Sequence, residues 1–200
     1  MYIPKSFKQE DTAKAIAFMQ SYNFATLVSI ENNIPVATHL PFIIEAEKSA
    51  ILLSSHLSKT NNQWKSFTEH PVLVIFAEPH AYISPTLYQK KEEVPTWNYI
   101  AVHTYGTLKI LTSPEEKLTI LHKQMLAYEP SYLEQFKTLR KEYVDGLLNG
   151  IIAFEINVTD LQAKEKLSQN KSEKDRQSIR KHLIESEDSL KQALGKSMPD

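Results

Sequence analysis

Short apolar runs alternate with turn residues through the first half of the chain, a pattern typical of an antiparallel sheet. Residues 24–30 (FATLVSI) and 34–44 (IPVATHLPFII) are apolar and rich in β-branched side chains, and the three polar residues between them predict a hairpin turn. Further strands are predicted over residues 50–55, 71–76, 81–84, 99–111 and 151–158. Because no long helix separates the early strands, the pattern favours an antiparallel barrel over a parallel α/β sheet.

Helices are predicted at the periphery of this sheet. Their apolar residues recur at helical spacing, and Ser113 followed by Pro114 is a typical helix start. The predicted helical segments are residues 9–22, 61–69, 117–127 and 132–148. From Lys164 onward the sequence becomes charged and helical. We therefore predict one domain over residues 1–163 with a C-terminal helical appendage over 164–200.

Composition narrows the classes of function. The 200 residues carry 23 Lys and Arg against 24 Asp and Glu, so no overall charge draws the protein to nucleic acid or to a membrane surface. The absence of cysteine excludes disulfides, thiolate metal sites and cysteine nucleophiles. No apolar stretch is long enough for a membrane span, and the histidines lack the spacing of a metal site. We expect a cytoplasmic protein with no membrane partner and no metal.

The four glycines also bear on cofactor binding, because they do not cluster. Glycine-rich loops let backbone amides approach a phosphate closely, as in dinucleotide-binding and phosphate-cradling motifs. This chain has no such loop, so a bound nucleotide must be held mainly by side chains.

Six strings, spread in order along the chain, carry a specific resemblance. They are MYIPKSF (1–7), ATHLPF (37–42), HLSKTNNQW (56–64), PHAYISPTLY (79–88), VPTWNYIAVHTYG (94–106) and KLSQNKSEKDR (166–176). In these strings the chain resembles the PaiB family of FMN-binding negative transcriptional regulators. The resemblance implies a mainly β, antiparallel split β-barrel of the FMN-binding type with peripheral helices, a homodimer, FMN as the cofactor and repression of transcription.

A candidate site for the FMN phosphate lies where a predicted strand ends and a helical turn begins. Hydroxyl groups and one ammonium group occur there within six residues, and a new helix adds free backbone N–H groups. The candidate residues are Ser54, Ser55, His56, Ser58 and Lys59. An ordinary strand-to-helix junction with serine caps is the alternative interpretation of this segment.

Three further groups could face the flavin ring or the ribityl chain. Strand alternation places one of Thr38 and His39 inside the barrel and the other toward a partner. A second cluster combines aromatic surface with amide and hydroxyl groups, and a third pair follows the phosphate segment. These candidates are Thr96, Trp97 and Asn98 for the cluster, and Gln63 and Trp64 for the pair. Structural packing is the alternative role for each of them.

The last candidate group follows the final predicted strand. Polar side chains there could reach the pyrimidine edge of the flavin from a second subunit, as the resemblance implies, or could form a solvated loop. The residues are Lys166, Ser168, Gln169 and Asn170.

Three functions remain open from the sequence. The resemblance favours a flavin-bearing transcriptional regulator. A flavin-dependent oxidoreductase that uses NAD(P)H, and a haem-binding or haem-degrading protein, are the alternatives. No helix-turn-helix motif is recognisable, so any direct DNA contact is expected from the basic residues Lys171, Lys174 and Arg176. Whether the chain is an enzyme is left open.

Overall fold

The computed structural model describes residues 1–47, 50–67 and 69–199, which form nine strands and six α-helices. The strands are β1 (Lys8–Gln9), β2 (Phe24–Glu31), β3 (Ile34–Pro41), β4 (Ile43–Glu47), β5 (Ala50–Ser58), β6 (Val72–Phe76), β7 (His80–Ile83), β8 (Thr96–Leu111) and β9 (Ile151–Lys166). The helices are α1 (Thr12–Ser21), α2 (Pro114–Tyr128), α3 (Tyr132–Phe136), α4 (Lys141–Asn149), α5 (Glu173–Ile184) and α6 (Ser189–Ser197). Short 3-10 helices cover Lys5–Phe7, Asn62–Ser66 and Pro85–Leu87.

The strands form one sheet in the order β3-β2-β6-β8-β9-β5-β4, with β1 paired to β9 and β7 paired to β8. The registered strand pairs are antiparallel. The predicted class, mainly antiparallel β with peripheral helices, is therefore confirmed.

The chain divides into two compact units. Unit 1 contains residues 1–15, 76–103 and 162–200, and unit 2 contains residues 16–75 and 104–161. A single domain over residues 1–163 with an appendage over 164–200 stays a prediction.

The hairpin in unit 2 follows directly from its turn residues. Asn32 and Asn33 both have positive φ, 51° and 62°, the backbone that a tight two-residue turn between twisted strands requires and that asparagine tolerates. The turn fixes a register in which Leu27 lies opposite Thr38. As a result, Leu27 and Ser29 of β2 are buried.

The core of unit 2 is built around aromatic side chains. The ring of Phe154 lies edge-on to Phe67 at 5.3 Å and to Phe42 at 6.3 Å between ring centres, and all three side chains are fully buried. Gly106 of β8 lies against β9, where a Cβ would stand 2.3 Å from the carbonyl oxygen of Asn157. Only glycine fits at this contact.

Unit 1 contains the C-terminal helices. Helix α5 begins at a cap in which the hydroxyl of Ser172 accepts from the backbone N–H of Asp175 at 3.2 Å. Helices α5 and α6 pack together through Ile179, Leu183 and Leu194, which are fully buried. The predicted C-terminal helices are therefore present, although they begin after β9 rather than at Lys164.

Several predicted boundaries were wrong. Residues 132–148 form two helices rather than one, because Thr138 turns back on the chain and both its N–H and its hydroxyl donate to the carbonyl of Gln135. Strand β9 continues to Lys166, well past residue 158, since its polar second half pairs with β1. The apolar run over residues 34–44 is divided between β3 and β4. Thr68 and Asp200, inside two predicted segments, lie outside the described residues.

Candidate functional site

A pocket of about 240 Å³ in unit 1, lined by both polar and apolar side chains, brings together residues from four separate parts of the chain. Its walls are Phe7, Tyr88, Val94, Pro95, Thr96, Asn98, Lys166, Ser168, Asn170 and Lys171. Five of these were predicted as cofactor-binding residues from the sequence, namely Thr96, Asn98, Lys166, Ser168 and Asn170. The two strings that contain them, separated by about 70 positions, therefore meet at one place.

Strand geometry explains this meeting. The pocket residues Thr96 and Asn98 are two apart on β8, so both side chains point to the same side of the strand. Ser168 follows the end of β9 with a φ of 62°, and its hydroxyl closes on the amide of Asn98, with Nδ2 2.9 Å and Oδ1 3.1 Å from Oγ. Because both side chains are buried, each satisfies the polar atoms of the other.

Lys166 is the half-buried cation of the pocket. Its ammonium group donates to the hydroxyl of Thr96 and, at 2.6 Å, to the carbonyl oxygen of Trp97. It forms no ion pair with any acidic residue that the structure describes. Burial, followed by repulsion from the ammonium groups of Lys164 and Lys171, lowers the pKa of Lys166. The site thus holds a cation whose charge is not balanced by the protein.

Lys171, on the opposite wall, does have an acidic partner. Its ammonium group lies 2.6 Å from the carboxylate of Glu93 and 4.4 Å from the ring centre of Tyr88. The hydrogen bond to Glu93 raises the pKa of Lys171. The hydroxyl oxygen of Tyr88 is buried and has no hydrogen-bond partner among residues 1–47, 50–67 and 69–199, and burial raises its pKa. The pocket wall therefore contains a buried hydroxyl without a partner in the described residues, close to Lys171, Glu93 and Asp175.

Two of the predicted residues of unit 2, Thr38 and Gln63, belong to a polar network centred on Gln63. The amide oxygen of Gln63 accepts from the hydroxyl of Thr38 at 2.5 Å, and its amide nitrogen lies 3.1 Å from both the hydroxyl of Ser29 and the carbonyl of Val36. Asn61 donates to the same Thr38 hydroxyl at 2.9 Å. The buried amide of Gln63 thus joins the 3-10 helix at Asn62–Ser66 to the hairpin.

The proposed phosphate segment is divided between surface and core. Ser58 and Lys59 are exposed at the end of β5, and the backbone N–H of Lys59 donates to the carbonyl of Gly150 at 2.9 Å. Ser54 and Ser55 are fully buried, and the hydroxyl of Ser55 donates to the carbonyl of Pro41 at 2.7 Å. The exposed pair is therefore accessible to an anion, while the buried pair is enclosed by protein.

The remaining candidates have individual positions. His39 is exposed and its ring stacks on Phe24 at 6.4 Å, whereas its neighbour Thr38 faces Gln63, as strand alternation predicts. Trp97 is 51% exposed and lies against the ring of His80 at 5.4 Å.

Three other candidates engage the backbone or lie partly buried. The side chain of Gln169 folds back onto the backbone of Glu165 and Leu167. The indole of Trp64 donates to the carbonyl of Lys59. His56 is half-buried, and burial lowers its pKa.

Five residues of the unit 1 pocket were missed in the sequence. They line the pocket, yet none was singled out as a cofactor-binding residue: Phe7, Tyr88, Val94, Pro95 and Lys171. Each lies inside one of the six strings that carry the family resemblance, so the strings themselves were the signal. What the sequence lacked was the position of each string relative to the others.

Comparison with known proteins establishes the family. Residues 1–160 match the family model described as "Putative FMN-binding domain". The chain is also 37% identical over 203 residues to "Protease synthase and sporulation protein PAI 2" of Bacillus subtilis (strain 168), covering 100% of this chain and 97% of that protein. The chain belongs to the PaiB-type FMN-binding family. This PaiB-type chain is further 30% identical over 182 residues to the uncharacterized protein AN0679 of Emericella nidulans, with 72% of each covered.

Solved structures show the same fold at low sequence identity. The PaiB-type chain resembles the flavocytochrome Anf3 from Azotobacter vinelandii with a TM-score of 0.65 and 12% identity, covering 82% of this chain and 72% of that one. It resembles the FAD and heme binding protein from Mycobacterium smegmatis with a TM-score of 0.60 and 13% identity, covering 80% and 73% respectively. The predicted split-barrel fold is confirmed.

FMN is the cofactor of this PaiB-type chain, and the unit 1 pocket fits one part of it. Its volume of about 240 Å³ is below the ~300–1,000 Å³ typical of pockets that enclose a drug-sized ligand. Its donor is the ammonium group of Lys166, which matches the carbonyl oxygens at the edge of a flavin ring, and its wall also holds the buried, unpartnered hydroxyl of Tyr88. The pocket therefore fits an edge of FMN rather than the whole molecule.

No group of three His, Asp or Glu residues in the described part of the chain could hold a metal ion. Likewise, none of the helices in the described ranges is both long enough and apolar enough to span a bilayer.

Proposed function

We propose that this chain is an FMN-binding homodimer that acts as a negative transcriptional regulator in the cytoplasm. The observation that supports the flavin site is the meeting of four family strings at one pocket, through Phe7, Tyr88, Asn98 and Lys166. The regulatory part rests on the full-length similarity to the sporulation protein of Bacillus subtilis.

The pocket residues have complementary roles in this proposal. Thr96 on β8, Lys166 and Asn170 contact the polar edge of the flavin ring, and the buried pair Asn98 and Ser168 holds β8 and the turn after β9 in position around it. The amide of Asn170 supplies both donors and acceptors, and Lys166 supplies positive charge. When bound, FMN supplies a ring that takes up and releases electrons.

The phosphate of FMN requires separate ligands, and we assign it to the exposed pair Ser58 and Lys59. The hydroxyl of Ser58 lies 2.8 Å from that of Thr60, so neighbouring hydroxyls and one ammonium group occur at the surface. Ser54, Ser55, His56, Gln63, Trp64, Thr38, His39, Trp97 and Gln169 stay proposed as residues that shape the FMN site or support its ligands. Since the unit 1 pocket holds only part of FMN, a second copy of the chain is proposed to complete the site.

Direct contact with DNA is limited by the charges near Lys171. Its ammonium group is already paired with Glu93, and the acid Asp175 lies in the same turn of α5 as Lys174 and Arg176. We therefore favour repression in which the state of the bound flavin changes how the chain contacts a protein partner, or DNA together with that partner. Binding through a strongly basic DNA-binding face is disfavoured.

Two measurements test the proposal. Light scattering of the FMN-saturated protein should give the mass of a dimer, and a monomer would contradict the homodimer. A strain that lacks the protein should show raised transcript levels for a defined set of genes, restored by the wild-type chain. If no transcript changes and the protein instead reduces its flavin rapidly with NADH or NADPH, the oxidoreductase alternative replaces the regulator.

A further inference from the structure

The unit 1 pocket contains an ammonium group without an acidic partner. Lys166 and Lys171 both line the pocket, and the ammonium groups of Lys171 and of the nearby Lys164 repel that of Lys166. Two carboxylates, of Glu93 and Asp175, lie close to Lys171 and Tyr88. The positive charge of Lys171 is therefore balanced by nearby acids, whereas that of Lys166 is not.

The cation without an acidic partner is Lys166 at the end of β9, because both acids lie near Lys171. Glu93 is bonded directly to Lys171, and Asp175 is held by the backbone N–H of Gln89 at 2.8 Å. Lys164 is only 8% exposed, and its ammonium group contacts the Tyr2 carbonyl at 3.3 Å and the Tyr99 ring at 5.1 Å. Within the described ranges, neither Lys164 nor Lys166 forms an ion pair.

Lys166 also has unused hydrogen-bonding capacity. An ammonium group carries three donors, and the two recorded acceptors are the hydroxyl of Thr96 and the carbonyl of Trp97. The hydroxyl of Tyr88 adds a second unused donor. A pocket with spare donors and one surplus positive charge is complementary to a group that carries negative charge on oxygen or nitrogen.

We propose that Lys166 makes this pocket bind reduced FMN more tightly than oxidised FMN, so that the protein senses the redox state of its cofactor. This inference rests on the proposed FMN site and names its regulation. Two-electron reduction adds two electrons and one proton to the neutral ring and leaves it with a net charge of −1. The extra charge meets the surplus cation of the pocket, whereas the oxidised ring offers only neutral carbonyl oxygens.

The phosphate of FMN has the same charge in both redox states, and this separates two explanations. If Lys166 contacts the ring, its removal changes the ratio of the two affinities. If Lys166 contacts the phosphate, its removal weakens both affinities equally. The ratio is also linked to the reduction potential, because tighter binding of the reduced form raises the potential of bound FMN above that of free FMN.

The experiment measures the dissociation constant of FMN, oxidised in air and reduced anaerobically with dithionite, for four proteins. They are the wild type, Lys166→Met, Lys166→Arg and the matched surface control Lys174→Met. Lys174 is an exposed lysine of α5. The wild type should bind reduced FMN about tenfold more tightly, equal to a rise of about 30 mV in a two-electron potential. Lys166→Met should bring the ratio close to one, and Lys166→Arg and Lys174→Met should keep it.

Each other outcome overturns the inference. A Lys166→Met protein that binds FMN with the wild-type ratio shows that Lys166 does not act on the ring. Equal weakening of both redox forms assigns Lys166 to the phosphate instead. A wild-type protein that binds neither form contradicts the proposed FMN function itself, so the two failures are distinguished. Circular dichroism of each variant shows that it is folded before its affinities are compared.

Discussion

The amide of Asn98 and the hydroxyl of Ser168 face each other in the interior of unit 1, with Nδ2 and Oγ 2.9 Å apart. This contact joins β8 to the turn after β9, and it lies in the wall of the pocket. The two residues are 70 positions apart in sequence and belong to different family strings. The pocket therefore depends on a buried polar pair as well as on its own ligands.

Removing one member of this pair should destabilise the protein. In Asn98→Ala or Ser168→Ala the other side chain stays buried without its partner, which costs about 1–3 kcal/mol of unfolding free energy. Asn98→Ala with Ser168→Ala should cost less than the sum of the two, with a coupling of about 1 kcal/mol measured by urea unfolding. Asn157→Ala, at an exposed position of β9, is the control and should have little effect. Strictly additive losses would show that the pair is not coupled.

Two glycines should respond in opposite directions to the same substitution. Gly106→Ala places a Cβ 2.3 Å from the carbonyl oxygen of Asn157 and 2.8 Å from Ile156, so we expect a loss of about 3 kcal/mol. Gly146→Ala lies in α4 with no atom within 4 Å of the new Cβ, so we expect a gain of about 0.5–1 kcal/mol. Thermal and urea unfolding measure both. A Gly106→Ala protein as stable as wild type would contradict the close packing of β8 on β9.

The unpartnered hydroxyl of Tyr88 predicts that Tyr88→Phe lowers FMN affinity without lowering the stability of the protein. Tyr88→Phe removes a buried polar atom that has no bond in the described structure, so the FMN-free protein should be as stable as wild type or up to about 1 kcal/mol more stable. FMN affinity should fall about five- to tenfold, because the ligand loses a donor. Tyr82→Phe, with Tyr82 49% exposed on β7, should change neither property. Unchanged FMN affinity in Tyr88→Phe would remove Tyr88 from the binding site.

Asp175 predicts a pH dependence of stability. The backbone N–H of Gln89, followed by the hydroxyl of Ser172, lowers the pKa of Asp175 in the folded protein. A depressed carboxylate pKa stabilises the fold at neutral pH, and this contribution is lost as the pH falls below the ordinary aspartate range of about 4. Asp175→Asn should therefore be less stable than wild type at pH 7, with a difference that narrows between about pH 5 and pH 3. Glu187→Gln, at an exposed position before α6, should follow the wild-type curve, and an equal loss for Asp175→Asn at every pH would exclude the ionic explanation.

Local signals predicted much of the fold. The asparagines at 32 and 33 predicted the hairpin turn, and Ser113 with Pro114 predicted the start of α2, where the structure adds a reciprocal cap between Ser113 and Glu116. These features depend on residues within a few positions of each other. The second half of β9 was missed because most of its residues are polar, and its strand conformation depends on pairing with β1.

The cofactor site was only partly predictable, because its residues come from distant parts of the chain. Thr96, Asn98, Lys166, Ser168 and Asn170 were expected to bind the cofactor, and the structure brings all five to one pocket. Five lining residues were missed, because membership of a family string does not show which of its side chains line a pocket: Phe7, Tyr88, Val94, Pro95 and Lys171. Gln63 was a candidate for the ribityl chain or for structural packing, and the structure shows a buried amide bonded to Thr38 and Ser29, contacts that depend on distant parts of the chain.

A titration of the purified, FMN-free protein with oxidised FMN tests the central claim most directly. The account predicts a shifted, structured flavin absorption band that saturates at one FMN per chain, and a weaker affinity for Tyr88→Phe than for Tyr82→Phe. No change in the flavin spectrum at saturating protein, or a sharp Soret band on adding haem in its place, would contradict it.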